Sequence, residues 1–306
     1  MYSHTISFLR FRVNLSTDSF RTERAIARFC NRTSFEGNNL VDCWNLRINR
    51  TNDFYIKLNE LVDLKSMRVI KQVNLLKEAI ENNSSLGNES MQKELVALIE
   101  KIRKNYFKSG LYLIIYESFF GIINPLTKKG EIFLMCDGVK YLDFAIDHVI
   151  YELFRIICPE HNAFLLHSSS LIYKNKAILF IGKSGSGKST IYNKSKKFGF
   201  ERINEDMGVV AKKGNNYFIQ DFFYGRKHLK NKVYPISKIY YLHHSKKNHL
   251  KKMTPSESKK LMKKQVFISN KNTKRNDLLI LDVCKKYPSY LLYFKKDCHF
   301  LKSIRN

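Results

Sequence analysis

The stretch "AILFIGKSGSGKSTI", Ala177 to Ile191, decides how the rest of this 306-residue chain is read. Five apolar residues run into Gly182, and Gly182, Gly187, Lys188 and Ser189 complete the spacing GxxxxGK[ST]. A β-type run before the loop and a helix-compatible stretch from about Lys188 to Lys197 after it give the context in which that spacing holds phosphate. The glycines let backbone N–H groups turn inward around phosphate oxygens, and the N-terminus of the following helix adds its partial positive charge. The candidate nucleotide-binding residues are therefore Gly182, Lys183, Ser184, Gly185, Ser186, Gly187, Lys188, Ser189 and Thr190. Lys188 would place a mobile cation on the β- and γ-phosphates, and the Ser189 hydroxyl suits Mg²⁺.

What a bound nucleotide is for depends on a second, acidic site. One helix and one strand after the loop comes "INED", Ile203 to Asp206, where a carboxylate could hold Mg²⁺ or take a proton from an attacking hydroxyl. Glu205 and Asp206 are the candidates, with Ser189 completing a metal-binding set. A competing acid stands in "LLILDV", Leu278 to Val283, which imitates a Walker B strand ending in Asp282. A transporter-type ATPase would need an LSGGQ-like signature between the two motifs and a Glu after that Asp. The chain has neither, Val283 standing in the latter place, and Leu278–Leu281 reads more simply as one buried face of a helix.

Outward from the loop, "AFLLHSSSLIY" and "KAILFIG" around "KNK" predict a β-hairpin leading into it. Further upstream, "LYLIIYE", "FGII" and "EIFLMC" read as strands separated by the turn "NPLTKKG". A helix over 141–157 is expected to end at Pro159. Downstream, "FERINED", "GVVAKK", "NYFIQDF", "KIYYLHH" and "SYLLYF" read as strands and "NDLLILDVCKKY" as a helix. "TPSESKKLMKKQVF" carries a capping box, with Thr254 as N-cap, Pro255 at the first helical position and Glu257 three residues after the cap. The front of the chain is less regular. "SFLRFRVNL" and "DFYIKL" look like strands, "TERAIARF" like a helix, "ENNSSLGNES" like a linker, and Met91–Ile102 like a helical stripe before Gly110. The expected organisation is an α+β region over 1–110 followed by a nucleotide-binding domain over 111–306.

A 36.1 kDa chain with 44% hydrophobic residues has the composition of a folded protein. No signal-peptide pattern opens it, and its most apolar run, Leu111–Ile123, is interrupted by Glu117 and too short to span a bilayer, which predicts a cytoplasmic protein. Six cysteines with no CxxC pair read as reduced, mostly structural thiols. The net charge of +27 invites a polyanion, but the lysines are dispersed and read chiefly as solvated surface. From about Gly225 onward basic runs follow one another, and an acidic partner, if one docks, is expected there.

The order "LLHSSSLIYKNKAILFIGKSGSGKSTI", "FGFERINEDMGVV", "ISKIYYLHH", "MTPSESKKLM" and "YPSYLLYF" resembles the C-terminal catalytic domain of HPr kinase/phosphorylase and the broader set of HPr-kinase-like proteins, over roughly Ala163 to Asn306. The resemblance implies an α/β fold with a P-loop core of the HPr kinase/PEP carboxykinase type, a mixed β-sheet, and ATP- and Mg²⁺-dependent transfer of the γ-phosphoryl group to a hydroxyl. By position it makes Asp206 the catalytic carboxylate, Glu205 its acidic neighbour and His167 the histidine beside the phosphates, with Lys188 on the transferred group. Two departures qualify it. Thr190 stands where HPr kinases have Glu, and the Gly- and Arg-containing signature of the reverse reaction has no clear counterpart in "YGRKHLKNK". The resemblance therefore points to stand-alone HPr-kinase-like serine kinases rather than to a true HPr kinase/phosphorylase, with a protein, peptide or small molecule as acceptor. The alternative is a nucleotide-gated binding protein that grips an acidic partner through its basic C-terminal half without phosphoryl transfer.

Overall fold

A computed structural model of the chain describes residues 1–8, 11–33, 43–50, 110–115, 119–134, 139–222, 233–267, 273–295 and 297–305. The strand "DFYIKL", the linker "ENNSSLGNES", the helical stripe from Met91 to Ile102 and the basic "YGRKHLKNK" lie outside these residues. Mixed α/β structure fills the described chain, which divides into two compact units, one made of most of the residues up to Glu152 and the other of Leu153 onward together with 6–8, 11–12 and 30–33.

Strands β1 (Tyr2–Phe8), β2 (Phe11–Thr17), β3 (Cys43–Arg50), β4 (Tyr112–Ile115), β5 (Phe119–Asn124) and β6 (Lys129–Leu134) form one sheet in the order β1-β2-β3-β6-β5-β4. Helix α1 (Phe20–Thr33) follows β2. The single strand expected over "SFLRFRVNL" is two strands, and the strands just after residue 110 hydrogen-bond into the same sheet as β1–β3. β3 alternates buried Trp44, Leu46 and Ile48 with outward Asn45, Arg47 and Asn49, the period-2 pattern of a sheet with one face in a core. Helix α2 (Val139–Glu160) carries the chain across the division after Glu152. It runs past Pro159, where the sequence predicts a stop; a proline beside the C-terminal end removes only one N–H, and the chain then turns through His161 N–H donating to Cys158 O.

The second unit is built on β7 (Ala163–Tyr173), β8 (Lys176–Ile181), β9 (Glu201–Asn204), β10 (Met207–Lys213), β11 (Asn216–Asp221), β12 (Tyr234–His244), β13 (His249–Lys252), β14 (Val266–Phe267) and β15 (Ser289–Phe294). Their main path runs β11-β10-β7-β8-β12-β15-β13, with β9 and β14 also on β7. The predicted hairpin is present: Lys174 and Asn175 adopt φ of 49° and 58°, the mirror-image turn that matches strand twist, and Tyr173 pairs with Lys176. β8, β12 and β15 run parallel, joined by connections that carry helices α3 (Lys188–Ser195), α4 (Pro255–Lys263) and α5 (Thr273–Lys286), and a short α6 (Phe300–Ser303) closes the chain.

Alternation along these parallel strands sorts the core onto two faces. Leu179, Ile181, Ile239 and Tyr241 pack with Met262 of α4 and Ile280 and Val283 of α5. Phe180, Tyr240, Leu242 and Phe294 pack on the other face with Ile191 and Tyr192 of α3 and Phe300 and Leu301 of α6. The basic "HLKK" is an edge strand, β13, antiparallel to β15, which the sequence does not predict. The capping box of α4 is formed as expected, with Glu257 N–H donating to Thr254 Oγ1 and Thr254 N–H donating to Glu257 Oε2. No helix among the described residues is long and apolar enough to cross a membrane.

Candidate functional site

β8 delivers the chain to residues 182–187 at its carboxyl end, and α3 starts at Lys188. Conformation at two points of this loop demands glycine. Gly185 has φ +74°, and Gly187 has φ +99°, where a Cβ would stand 2.7 Å from Phe294 Cζ and 3.1 Å from His244 Cε1. Gly187 is the N-cap of α3, and no side chain caps the helix there. Uncapped first-turn N–H groups are the feature of a helix N-terminus that binds anions.

The Lys188 side chain is buried and folds back along the loop, donating to Gly182 O at 2.7 Å and Lys183 O at 3.2 Å. An ammonium has three N–H bonds, so these carbonyls account for two. Burial pushes its pKa below the ordinary lysine range, with the negative charge of Asp206 opposing that shift.

Asp206 sits in the bend between β9 and β10, and main-chain pairing fixes its place. Ser168 N–H donates to Asp206 O at 3.0 Å, Met207 is opposite His167, and buried Asn204 donates its side-chain N–H to Ser168 O. The result brings His167 Nε2 to 2.8 Å from Asp206 Oδ1. A hydrogen bond from His167 holds the Asp206 carboxyl below the usual carboxylate range; partial burial works against this, and the positive charges of His167 and Lys188 add to it. The side chain of Asp206 remains 70% exposed, so an ionised oxygen stays accessible to an incoming group.

A cleft of about 280 Å³ collects these groups: His167, Ser184, Gly185, Gly187, Lys188, Ser189, Thr190, Asp206 and His244 line it. That volume is just below the ~300–1,000 Å³ typical of small-molecule sites. Ser189 is exposed and Thr190 half-buried at its wall. Of the other residues predicted from sequence, Gly182 backs onto Ser186, with a Cβ position 2.4 Å from Ser186 Oγ, while Lys183 is exposed and Glu205 half-buried. Those four do not line the cleft. Among the described residues no group of three or more His, Cys, Asp or Glu gathers as a metal site. The donors that do share the cleft, the Ser189 hydroxyl and the Asp206 carboxylate, are hard oxygens of the kind Mg²⁺ takes when it keeps several waters and shares phosphates.

Asp282, the rival acid, is on helix α5, where it accepts from Lys212 Nζ at 2.6 Å and from Tyr217 Oη at 2.7 Å. It does not line the cleft. Two further residues, one lining the cleft and one behind His167, carry no motif in the sequence. His244, at the end of β12, places Nε2 3.1 Å from Gly185 O and its ring against Phe294. Gln265, after α4, meets His167 twice: its carbonyl accepts His167 N–H at 2.8 Å and its side-chain Oε1 lies 3.1 Å from Nδ1. An amide offers both a carbonyl and an NH₂, so Gln265 can serve either protonation state of Nδ1 while Nε2 faces the carboxylate. The only sequence signal for His244 is its position at the carboxyl end of a strand; Gln265 has none.

No protein-family profile matches the chain, and no curated protein does either. Among solved structures the chain is similar to the HPr(Ser) kinase/phosphatase from Coxiella burnetii, over 46% of this chain and 86% of that one, with 9% sequence identity and a TM-score of 0.29. A score of that size leaves the functional reading to the site's own residues.

Proposed function

We propose that the second unit is an ATP- and Mg²⁺-dependent kinase of the HPr-kinase-like kind, transferring a γ-phosphoryl group to a Ser/Thr or small-molecule hydroxyl. The observation that carries this reading is the Asp206 carboxylate, kept ionised by His167 and facing the same cleft as Lys188 and Ser189. A phosphate site alone would serve a switch or a motor. A base beside it serves a nucleophile.

In this reading the loop amides and Lys188 would hold the β- and γ-phosphates, and Ser189 with Asp206 would hold the metal, Glu205 lying next to Asp206 in sequence. Bound Mg²⁺ would neutralise charge on the phosphate oxygens. The acceptor oxygen forms a bond to Pγ, the bond from Pγ to the β,γ-bridging oxygen breaks, ADP leaves, and the hydroxyl proton passes to Asp206. His167, fixed from behind by Gln265, holds the carboxylate in place. Such transfers gain chiefly from positioning and charge stabilisation, which a preorganised loop supplies.

The test is an acceptor screen with γ-labelled ATP and Mg²⁺ over peptides, proteins and small alcohols, using the wild type, Lys188→Ala and Asp206→Asn. Label should reach a hydroxyl with the wild type. Asp206→Asn, which cannot take the proton, should lose roughly 10²–10⁴-fold in turnover while retaining most ATP binding. Undiminished turnover in that variant would remove Asp206 from the mechanism.

A further inference from the structure

A second cluster of rings stands at the same carboxyl edge of the parallel strands, on the sheet face opposite α3. Parallel register sets His243 against Tyr293, and antiparallel register sets Tyr293 against His249. The three side chains therefore form one row across β12, β15 and β13. Ring centroids are 5.0 Å apart for His243 and Tyr293 and 5.9 Å for His249 and Tyr293. Both histidines are exposed and Tyr293 is half-buried.

The charge around this row is mostly positive. Lys246 and Lys247 are exposed in the turn from β12 to β13, and Lys251 lies two residues along β13 from His249, on the same face. Acids are few here, and each of those described between residues 233 and 305 is committed. Glu257 caps α4 and lies in the field of Lys251; Asp277 meets Lys259 and Lys263; Asp282 meets Lys212; Asp297 meets His299.

Rings with cations beside them fit one chemistry in particular. Unstacked bases present flat π faces at regular intervals along a chain of phosphates, whereas an acidic peptide offers the charge without the faces and a duplex hides the faces. We propose that the His243–Tyr293–His249 row is a docking surface for single-stranded nucleic acid, with bases stacking on the exposed His243 and His249 rings, which Tyr293 holds edge-on at 67° and tilted at 31°, and phosphates meeting Lys246, Lys247 and Lys251. The competing account is local: cross-strand ring pairs stabilise an edge strand, and edge lysines keep other strands from pairing with it. A stacking variant separates the two.

The experiment measures fluorescence anisotropy of labelled 12-nucleotide oligo-U and oligo-dT with the full chain, over a salt series, without nucleoside triphosphate, so its outcome is independent of phosphoryl transfer. Binding is expected to weaken roughly tenfold in Tyr293→Leu and to stay near wild type in Tyr293→Phe, since only the first loses the ring. In the double variant Lys246→Ala, Lys247→Ala the slope of log K against log salt should fall in magnitude by about 1.4. If circular dichroism shows Tyr293→Leu unfolded, the doubly exposed variant His243→Ala, His249→Ala carries the same test. A folded ring variant that binds as tightly as the wild type, or polyglutamate displacing the probe as well as unlabelled oligomer does, would overturn the proposal in favour of bulk charge.

Discussion

Replacing Gly187 by Ala tests the loop geometry in a quantity the structure fixes in advance. Two costs arise. At φ +99° an L side chain crowds its own backbone, worth about 1–2 kcal/mol. The new Cβ would also stand 2.7 Å from Phe294 Cζ, and Phe294 cannot readily move aside: it is fully buried, with Phe300 5.4 Å and His244 5.1 Å from its ring. Overpacking of that kind costs about 1–3 kcal/mol, for a total of about 2–5 kcal/mol. Gly185→Ala supplies the control, because its φ is +74° and nothing lies within 4 Å of its Cβ position. It should lose only the backbone part. Urea denaturation of both variants, read at equal m-value, gives the difference directly, and adding Phe294→Leu to Gly187→Ala should recover part of it through a double-mutant cycle. If Gly187→Ala is no less stable than Gly185→Ala, Phe294 does not press on the loop and the assigned glycine requirement is wrong.

Two further perturbations address the frame around the site. Thr254→Ala removes one half of the capping box of α4, which places Met262 in the core, and should cost about 1 kcal/mol in thermal or chemical unfolding; a loss below ~0.3 kcal/mol would mean the cap is not formed in solution. Lys212 and Tyr217 hold the Asp282 carboxyl below its ordinary range, and a carboxylate whose folded pKa is lowered contributes stability above its unfolded pKa, about 3.9, and loses it as pH falls through the folded value. Asp282→Asn should therefore be less stable than the wild type at pH 7, with the gap narrowing below about pH 4; a gap unchanged from pH 7 to pH 3 would show that the ion pair contributes nothing, as partly exposed pairs sometimes do.

The local pieces of this protein can be read from short windows of its chain. GxxxxGKS between an apolar run and a helix places a strand, a loop and a helix because each requirement is local: glycine for positive φ, β-rich residues before it, a helix-compatible stretch after it. The hairpin at Lys174 and Asn175 and the capping box at Thr254 are legible for the same reason, since the interacting groups are within a few residues of one another. Asp282 shows where such reading becomes ambiguous. Four apolar residues before an acid fit a strand as well as a helix, and packing of Leu279 and Ile280 in the core selects the helix; the run is not the single buried face expected, because at about 100° per residue Leu278 turns outward and is 68% exposed. Which side chains meet depends on how distant strands pair. His167 reaches Asp206 because β7 and β10 are antiparallel neighbours, Gln265 reaches His167 from 98 residues away because the chain returns to β7 at β14, and His244 reaches the loop because β12 lies parallel to β8. The row of His243, Tyr293 and His249 exists only through the pairing of three strands. Strand order and register depend on how buried faces across the whole sheet fit together, and no window of sequence contains that information.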